Sequence, residues 1–250
     1  MSARRVALVT GAGKGIGLAT TLALLKAGRS VAMVDRNAAD VAALIPQEYL
    51  PFAQYHTLDV TDSVAIAACL EQVRSDLGEV SILVNNAGIS PKVDGKSSGL
   101  LEVTEAEWES VMDVNVKAIV KLCQLCVPTM KAARFGRIVN VSSLAGRSKS
   151  LVAGISYMAS KSAVLGLSRA IASEMGPFGI TTNCVAPGRI LTEMAMQAGP
   201  EVNERYAQAI PVRRLGTPNE VGEAIEFLCQ DNAGFINGAV IDINGGFFMP

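Results

Sequence analysis

Arg5-Val6-Ala7-Leu8-Val9-Thr10 runs directly into Gly11-Ala12-Gly13-Lys14-Gly15-Ile16-Gly17, and a segment of helical period follows. A short apolar run that stops at a glycine reads as a buried strand. Glycines let the chain turn tightly and bring its backbone close to a ligand. The first turn of the helix beyond presents free N–H groups and the positive end of its dipole, which suits a phosphate or pyrophosphate. The spacing is G-x-x-x-G-x-G, which differs from G-x-G-x-x-G. Its weight comes from its place between a first strand and a first helix.

The same alternation continues along the chain. Strands are expected at Arg5–Thr10, Ser30–Asp35, Phe52–Asp59, Ser81–Asn85, Arg137–Val141, Ile180–Val185 and Ala239–Ile243. Helical stretches are expected near residues 16–28, 62–77, 104–130, 156–175 and 218–229. This order predicts right-handed βαβ units and a parallel sheet covered on both faces, an α/β fold. Thr104 with Glu107, and Thr217-Pro218-Asn219-Glu220, carry the chemistry of helix starts. Val221, Ala224, Ile225 and Leu228 fall on one helical face. No repeat or linker divides the chain, so residues 1–250 read as one domain.

Composition excludes several classes. The chain has 250 residues, 50% of them apolar, and a formal net charge of −1. Its length supports a large core, and its charge argues against a nucleic-acid binder. The single histidine, His56, excludes a histidine-based triad or a multi-histidine metal centre, and no metal site is expected. Five scattered cysteines do not suggest a disulfide framework. Cys123-x-x-Cys126 lies in a long apolar helical stretch and reads as core. No run of apolar residues is long enough for a signal peptide or membrane span, so a soluble cytoplasmic chain is expected.

The second strand ends at Asp35, eighteen residues beyond Gly17. A carboxylate there can accept both hydroxyls of an adenosine ribose and would repel a 2′-phosphate, which favours NAD(H). Lys14 and Arg36 pull the other way and leave NADP(H) open. Tyr157 and Lys161 stand four residues apart near the start of a helix, hence on one face. A tyrosine has a pKa of ~10, and a nearby ammonium stabilises its phenolate. Ser142-Ser143 follow the fifth strand, at the edge where such sheets present residues to ligands. Asn115 interrupts an apolar stripe of Trp108, Val111, Met112, Ile119, Cys123 and Cys126. It is either a structural polar contact or the holder of a water near the reacting atoms.

Taken together, these motifs resemble the short-chain dehydrogenase/reductase family, in the group that includes 3-oxoacyl-acyl-carrier-protein reductases. The resemblance covers nearly the whole chain, through Thr10–Gly17, Asp59-Val60, Asn85-Asn86-Ala87-Gly88, Asn115, Ser143, Tyr157-x-x-x-Lys161 and Pro187-Gly188. It implies a single doubly wound Rossmann-type domain with a seven-stranded parallel sheet. It implies an enzyme that interconverts a secondary alcohol and a ketone. Tyr157 would be the general acid/base, and Ser143, through its Ser-x-x-Gly pattern, would hold the substrate oxygen. Lys161 would bind the nicotinamide ribose and lower the Tyr157 pKa, while Asn115 would hold a relay water. Gly11, Lys14, Gly15, Ile16, Gly17, Asp35 and Arg36 would receive the cofactor. So would Asp59 and Val60 at the adenine, Asn86, Ala87 and Gly88 at the adjacent ribose, and Pro187, Gly188, Ile190 and Thr192 at the nicotinamide end. A homotetramer acting on a small alcohol or ketone, without nucleic acid or membrane, is implied. The alternatives are an NADPH-dependent 3-oxoacyl reductase and a cofactor-binding scaffold without turnover. The stretch Ser90–Gly99 is longer than in the acyl-carrier reductases and is expected near the substrate entrance.

Other features carry competing readings. Gly95-Lys96-Ser97-Ser98-Gly99 satisfies G-x-S-x-G, but a hydrolase needs a later histidine and His56 precedes it. Arg147, Lys149 and Arg189 could ring the pocket and receive a carboxylate, phosphate or sulfonate, or be surface charge. Leu151, Val152, Ile155, Met194 and Met196 read as an adaptable pocket wall or ordinary core. Phe247-Phe248-Met249 is expected either across a subunit interface or frayed.

Overall fold

A computed structural model describes residues 4–37, 41–93, 95–150, 152–196 and 199–250. Seven strands form one sheet: β1 (Val6–Thr10), β2 (Ser30–Asp35), β3 (Ala53–Thr57), β4 (Val80–Asn85), β5 (Gly136–Val141), β6 (Ile180–Pro187) and β7 (Val240–Ile243). Their order is β3-β2-β1-β4-β5-β6-β7, and every pair is parallel. The winding reverses between β1 and β4, which opens a crevice beyond the carboxyl ends of the strands. This is the doubly wound parallel sheet that the sequence predicts.

Successive residues of β1 feed opposite cores. Val6 and Leu8 pack with Ile66, Val73, Ile119, Leu122 and Val164 on one face. Ala7 and Val9 pack with Leu24, Leu25, Val221, Ile225 and Leu228 on the other. Side chains on a strand alternate in direction, so a strand buried on both faces is apolar throughout. The first face belongs to α2 (Ser63–Asp76), α4 (Ala118–Ala133) and α5 (Ile155–Met175), and the second to α1 (Gly15–Lys26) and α8 (Pro218–Leu228). A Cβ on Gly222 would lie 2.8 Å from the Ala19 carbonyl carbon, so glycine permits the close approach of α8 to α1. Cys123 and Cys126 are buried in α4, and burial pushes the Cys123 thiol up to about 12. They are core residues and carry no redox chemistry.

Four departures concern local structure. The expected helix at 104–130 is α3 (Glu105–Met112), a π-helical turn at Asp113–Lys117, and then α4. Trp108 is 40% exposed and does not join the buried stripe. The capping box at α8 is complete, but at α3 only half forms. There Thr104 accepts from the Glu107 N–H, while the Glu107 carboxylate turns to Ser98 and Ser156. Two further helices, α6 (Glu193–Met196) and α7 (Pro200–Ala209), stand where none was expected. No residue of α7 is buried, and its apolar side chains are few, which makes it a weak signal in the sequence.

Candidate active site

The glycine turn is shaped by sterics before any ligand is considered. Gly11 and Gly15 have φ of +62° and +54°, a region that side chains disfavour. A Cβ on Gly17 would sit 2.0 Å from the Gly11 carbonyl oxygen, so that position admits only glycine. Thr10 Oγ1 accepts the backbone N–H groups of Asn86 and Ala87, both at 3.1 Å. Asn86 Nδ2 donates at 2.9 Å to the carbonyls of Thr10 and Gly11. Thus the Asn86 amide nitrogen is committed to holding the turn.

Asp35 closes the end of β2 against this turn. Its Oδ2 accepts from the Gly13 N–H at 2.9 Å and its Oδ1 from the Asn37 N–H at 3.1 Å. The neighbouring cations are already matched. Lys14 pairs with Glu193, and Arg36 lies 3.7 Å from Asp59. Burial pushes the Asp59 carboxyl up, but Thr61 and Arg36 outweigh it and hold the pKa below its ordinary value.

The reactive end is built by β5 and α5. Ser142 and Ser143 are distinguished by their partners. The Ser142 hydroxyl is buried and donates to the Lys161 carbonyl at 2.8 Å. Ser143 lines the cleft, and its Oγ accepts from the Ala145 N–H at 3.1 Å. Lys161 Nζ donates to the Val141 carbonyl at 2.8 Å, and burial pulls its pKa down to about 8. The Tyr157 phenol is pushed above its ordinary value by burial, against a smaller downward pull from Ser143. In the protein alone the expected lowering by Lys161 does not appear: the shift is upward, and Ser143 is the group that opposes it.

Asn115 is fully buried at the π-helical turn. Its Nδ2 donates to the Ile89 carbonyl and to Ser160 Oγ, each at 3.0 Å, and its Oδ1 accepts from the Ile89 N–H at 2.9 Å. Ser160 Oγ in turn donates to the Tyr157 carbonyl at 2.8 Å. A π-helical turn rotates a side chain away from the α-helical stripe, which is how a polar residue leaves the core face here. Ser160 was not singled out from the sequence. Its one signal is the three-residue spacing from Tyr157, which is too common to notice.

A cavity of about 710 Å³ runs past these groups. Gly11, Lys14, Gly15, Ile16, Asp35, Arg36, Asp59, Val60, Asn86, Ala87, Gly88, Ser143, Tyr157, Lys161, Pro187, Gly188, Ile190 and Thr192 all line it. Gly17 and Asn115 do not, and act one layer behind. The volume falls within the range of ligand-sized clefts. The glycine cradle, the carboxylate at the end of β2 and this cleft fit a dinucleotide.

Several expectations about the rim need correction. Arg147 does not line the cleft and instead lies 3.0 Å from Asp242. Lys149 and Arg189 do line it. Val152 and Met194 contribute to the wall, whereas Ile155 and Met196 do not; Leu151 lies outside the described residues. Phe247 packs on Tyr206 with ring centres 5.7 Å apart and lines the cleft, while it stays 36% exposed and Met249 78% exposed. In the segment 90–99, of which Asp94 lies outside the described residues, Ser97 Oγ donates to the Val152 carbonyl and Ser98 Oγ to Glu107. Neither serine is placed as a nucleophile.

These features define a nicotinamide-dependent oxidoreductase fold, and the chain belongs to the short-chain dehydrogenase/reductase family. The family model described as Enoyl-(Acyl carrier protein) reductase matches residues 11–248. An acetoacetyl-CoA reductase of Rhizobium meliloti is 40% identical over 248 residues, covering 98% of this chain and 99% of that protein. A 3-oxoacyl-[acyl-carrier-protein] reductase of Haemophilus influenzae is 34% identical over 248 residues, covering 98% of each. The crystal structure of a 3-oxoacyl-[acyl-carrier protein] reductase with bound NAD from Brucella melitensis superposes with a TM-score of 0.90 at 35% identity. That match covers 100% of this chain and 93% of the other. The chain is an oxidoreductase acting on a CH–OH or ketone group with a nicotinamide cofactor.

Proposed function

We propose that the protein is an NAD(H)-dependent dehydrogenase/reductase interconverting a secondary alcohol and a ketone, with Tyr157 as general acid/base. The observation that carries the cofactor preference is the arrangement around Asp35. Its carboxylate lines the cleft beside the glycine turn, where it would meet the adenosine ribose, and the two nearby cations are each paired with another carboxylate. A 2′-phosphate would meet the Asp35 carboxylate, and Lys14 and Arg36 would each have to leave a carboxylate partner to neutralise it. Gly11, Gly15, Ile16 and Gly17 would form the pyrophosphate turn. Asp59, Val60 and the backbone of Asn86, Ala87 and Gly88 would flank the adenosine, and Pro187, Gly188, Ile190 and Thr192 the nicotinamide end.

A nicotinamide held beside Pro187, Gly188, Ile190 and Thr192 would supply or accept the hydride at the carbinol carbon. The Tyr157 hydroxyl gives a proton to the substrate oxygen in reduction and removes it in oxidation. Ser143 Oγ holds the same oxygen. Because burial raises the Tyr157 phenol, its ionisation needs positive charge close by, and Lys161 is the buried cation next to it. Asn115 keeps the Ile89 backbone and Ser160 in register behind them, and a relay water at Asn115 would have to use the second lone pair of Oδ1.

Two measurements test this reading. NADH should bind at least tenfold more tightly than NADPH in a fluorescence titration, and the reverse order overturns the cofactor assignment. Tyr157→Phe should lower kcat by orders of magnitude and leave NADH affinity largely intact; near-wild-type turnover defeats the mechanism. The NADPH-dependent 3-oxoacyl reductase is the second reading, favoured by the names of the Rhizobium and Haemophilus relatives. A scaffold without turnover is disfavoured by the complete set Asn115, Ser143, Tyr157 and Lys161.

We also propose one domain over residues 1–250, a homotetramer, and a cytoplasmic location. The single sheet supports the first. Exposed Phe227 and Phe235 support association, and the buried free cysteines suit a reducing compartment. No helix among the described residues is long and apolar enough to cross a membrane.

A further inference from the structure

The charges lining the cleft do not balance. Its carboxylates are Asp35, Asp59 and Glu193, and each is engaged: Asp35 by backbone N–H groups, Asp59 by Arg36, and Glu193 by Lys14. Lys92, Lys149 and Arg189 also line it, and among the described residues none of the three lies within ion-pair distance of a carboxylate. The surplus charge in the cavity is positive.

Arg189 is not a loose surface cation. Its Nε donates to Asn203 Oδ1 at 2.9 Å and its Nη2 to the Ala195 carbonyl at 2.7 Å. Its guanidinium carbon lies 5.2 Å from the centre of the Tyr206 ring. These contacts hold the plane of the group and use two of its five N–H donors, which leaves donors on a half-buried guanidinium at the cleft wall. Lys92 is also half-buried, and both desolvation and the charge of Arg189 push its ammonium below the ordinary range. Two like charges brought together in a partly dry cleft are unfavourable unless an anion lies between them. A preorganised guanidinium with free parallel donors is the group that best receives a carboxylate, sulfonate or phosphate.

We infer that the substrate carries an anionic group, received by Arg189 together with Lys92 at the wall of the cleft. This rests on the reading of the same cleft as the site of an alcohol or ketone. The anion is either on the small substrate itself or on a phosphate-bearing thioester carrier. Lys149, exposed at the rim, adds attraction without a fixed contact.

The test is calorimetry on the NADH-loaded protein, with straight-chain 3-oxo acids against their methyl esters, and coenzyme A thioesters against neutral N-acetylcysteamine thioesters. We expect one anionic member to bind at least tenfold more tightly than its neutral partner, the first pair pointing to a small acid and the second to a carrier. Lys92→Met and Arg189→Met should each reduce that ratio at least threefold, with the loss in KM greater than in kcat wherever turnover is measurable. Equal binding within both pairs overturns the inference, as does a ratio that survives in both variants. Binding of NADPH in place of NADH would sink the cofactor reading and leave the anion site standing.

Discussion

Lys161 Nζ lies 5.6 Å from the centre of the Tyr157 ring and donates to the Val141 carbonyl, 2.8 Å away. The ammonium is buried, so its charge is desolvated while it stands beside the phenol. Its pKa is near 8 in the folded protein and 10.5 as an ordinary lysine. A base whose folded pKa is lowered binds fewer protons when folded, so stability rises as pH climbs from about 8 to about 10.5. The rise from this group should be at most on the order of 3 kcal/mol. Urea unfolding across this window should show it for the wild type and show a flatter profile for Lys161→Met. Identical profiles would remove the argument.

Asn115 joins Ile89 and Ser160 through three hydrogen bonds inside the protein. Asn115→Ala should strand those buried groups and lower stability by ~2–3 kcal/mol. Ser160→Ala should lower it less. A chemical-denaturation shift below about 0.5 kcal/mol for Asn115→Ala would show that the site relaxes around the loss.

Gly17 has no room for a side chain, because a Cβ would meet the Gly11 carbonyl oxygen at 2.0 Å. Gly17→Ala should displace the turn and reduce NADH binding at least a hundredfold, or prevent accumulation of folded protein. Unchanged NADH affinity in a folded variant would mean that the turn is not the pyrophosphate site.

Asp35 holds the Gly13 and Asn37 N–H groups as well as facing the cleft. Asp35→Asn keeps the shape of the side chain and removes its charge. It should weaken NADH and strengthen NADPH, narrowing their ratio by roughly tenfold, about 1.4 kcal/mol. Cofactor titrations of the two proteins compare directly, and an unchanged ratio would show that Asp35 does not discriminate.

Glu107 accepts from Ser98 Oγ at 2.5 Å and from Ser156 Oγ at 2.7 Å, and so clamps the segment after β4 to the start of α5, at the residue before Tyr157. Glu107→Ala should speed amide hydrogen exchange around Ser97 and Ser98 with little change in β1 or β5. Uniform exchange in both proteins would show the clamp to be dispensable.

Most of the frame was legible because β1, β2 and β4 are apolar runs ended by a polar or glycine signal. β2 and its terminal Asp35 match the expected span, and the pairings follow from alternation. The glycine turn was legible for a steric reason, since Gly17 tolerates no substitute. What failed in the sequence reading was local and had physical causes. The Glu107 carboxylate chose two serines over its own helix cap, a choice made by tertiary neighbours. The π-helical turn at Asp113–Lys117 inserts its extra residue without any residue type that announces it. α7 buries none of its residues and is mostly polar, so its few apolar positions gave little to read.

By itself the sequence determined the parallel sheet, the glycine turn, and the pairing of Tyr157 with Lys161 on one helical face. Those are consequences of residue type and spacing along a single element. Only the tertiary structure decided that the Ser142 hydroxyl is spent on the Lys161 carbonyl, which cations around the cleft stand beside a carboxylate, and that Arg147 faces Asp242 while Arg189 faces the cavity. Charge balance and desolvation depend on groups far apart in the chain, and no local pattern encodes where those groups meet.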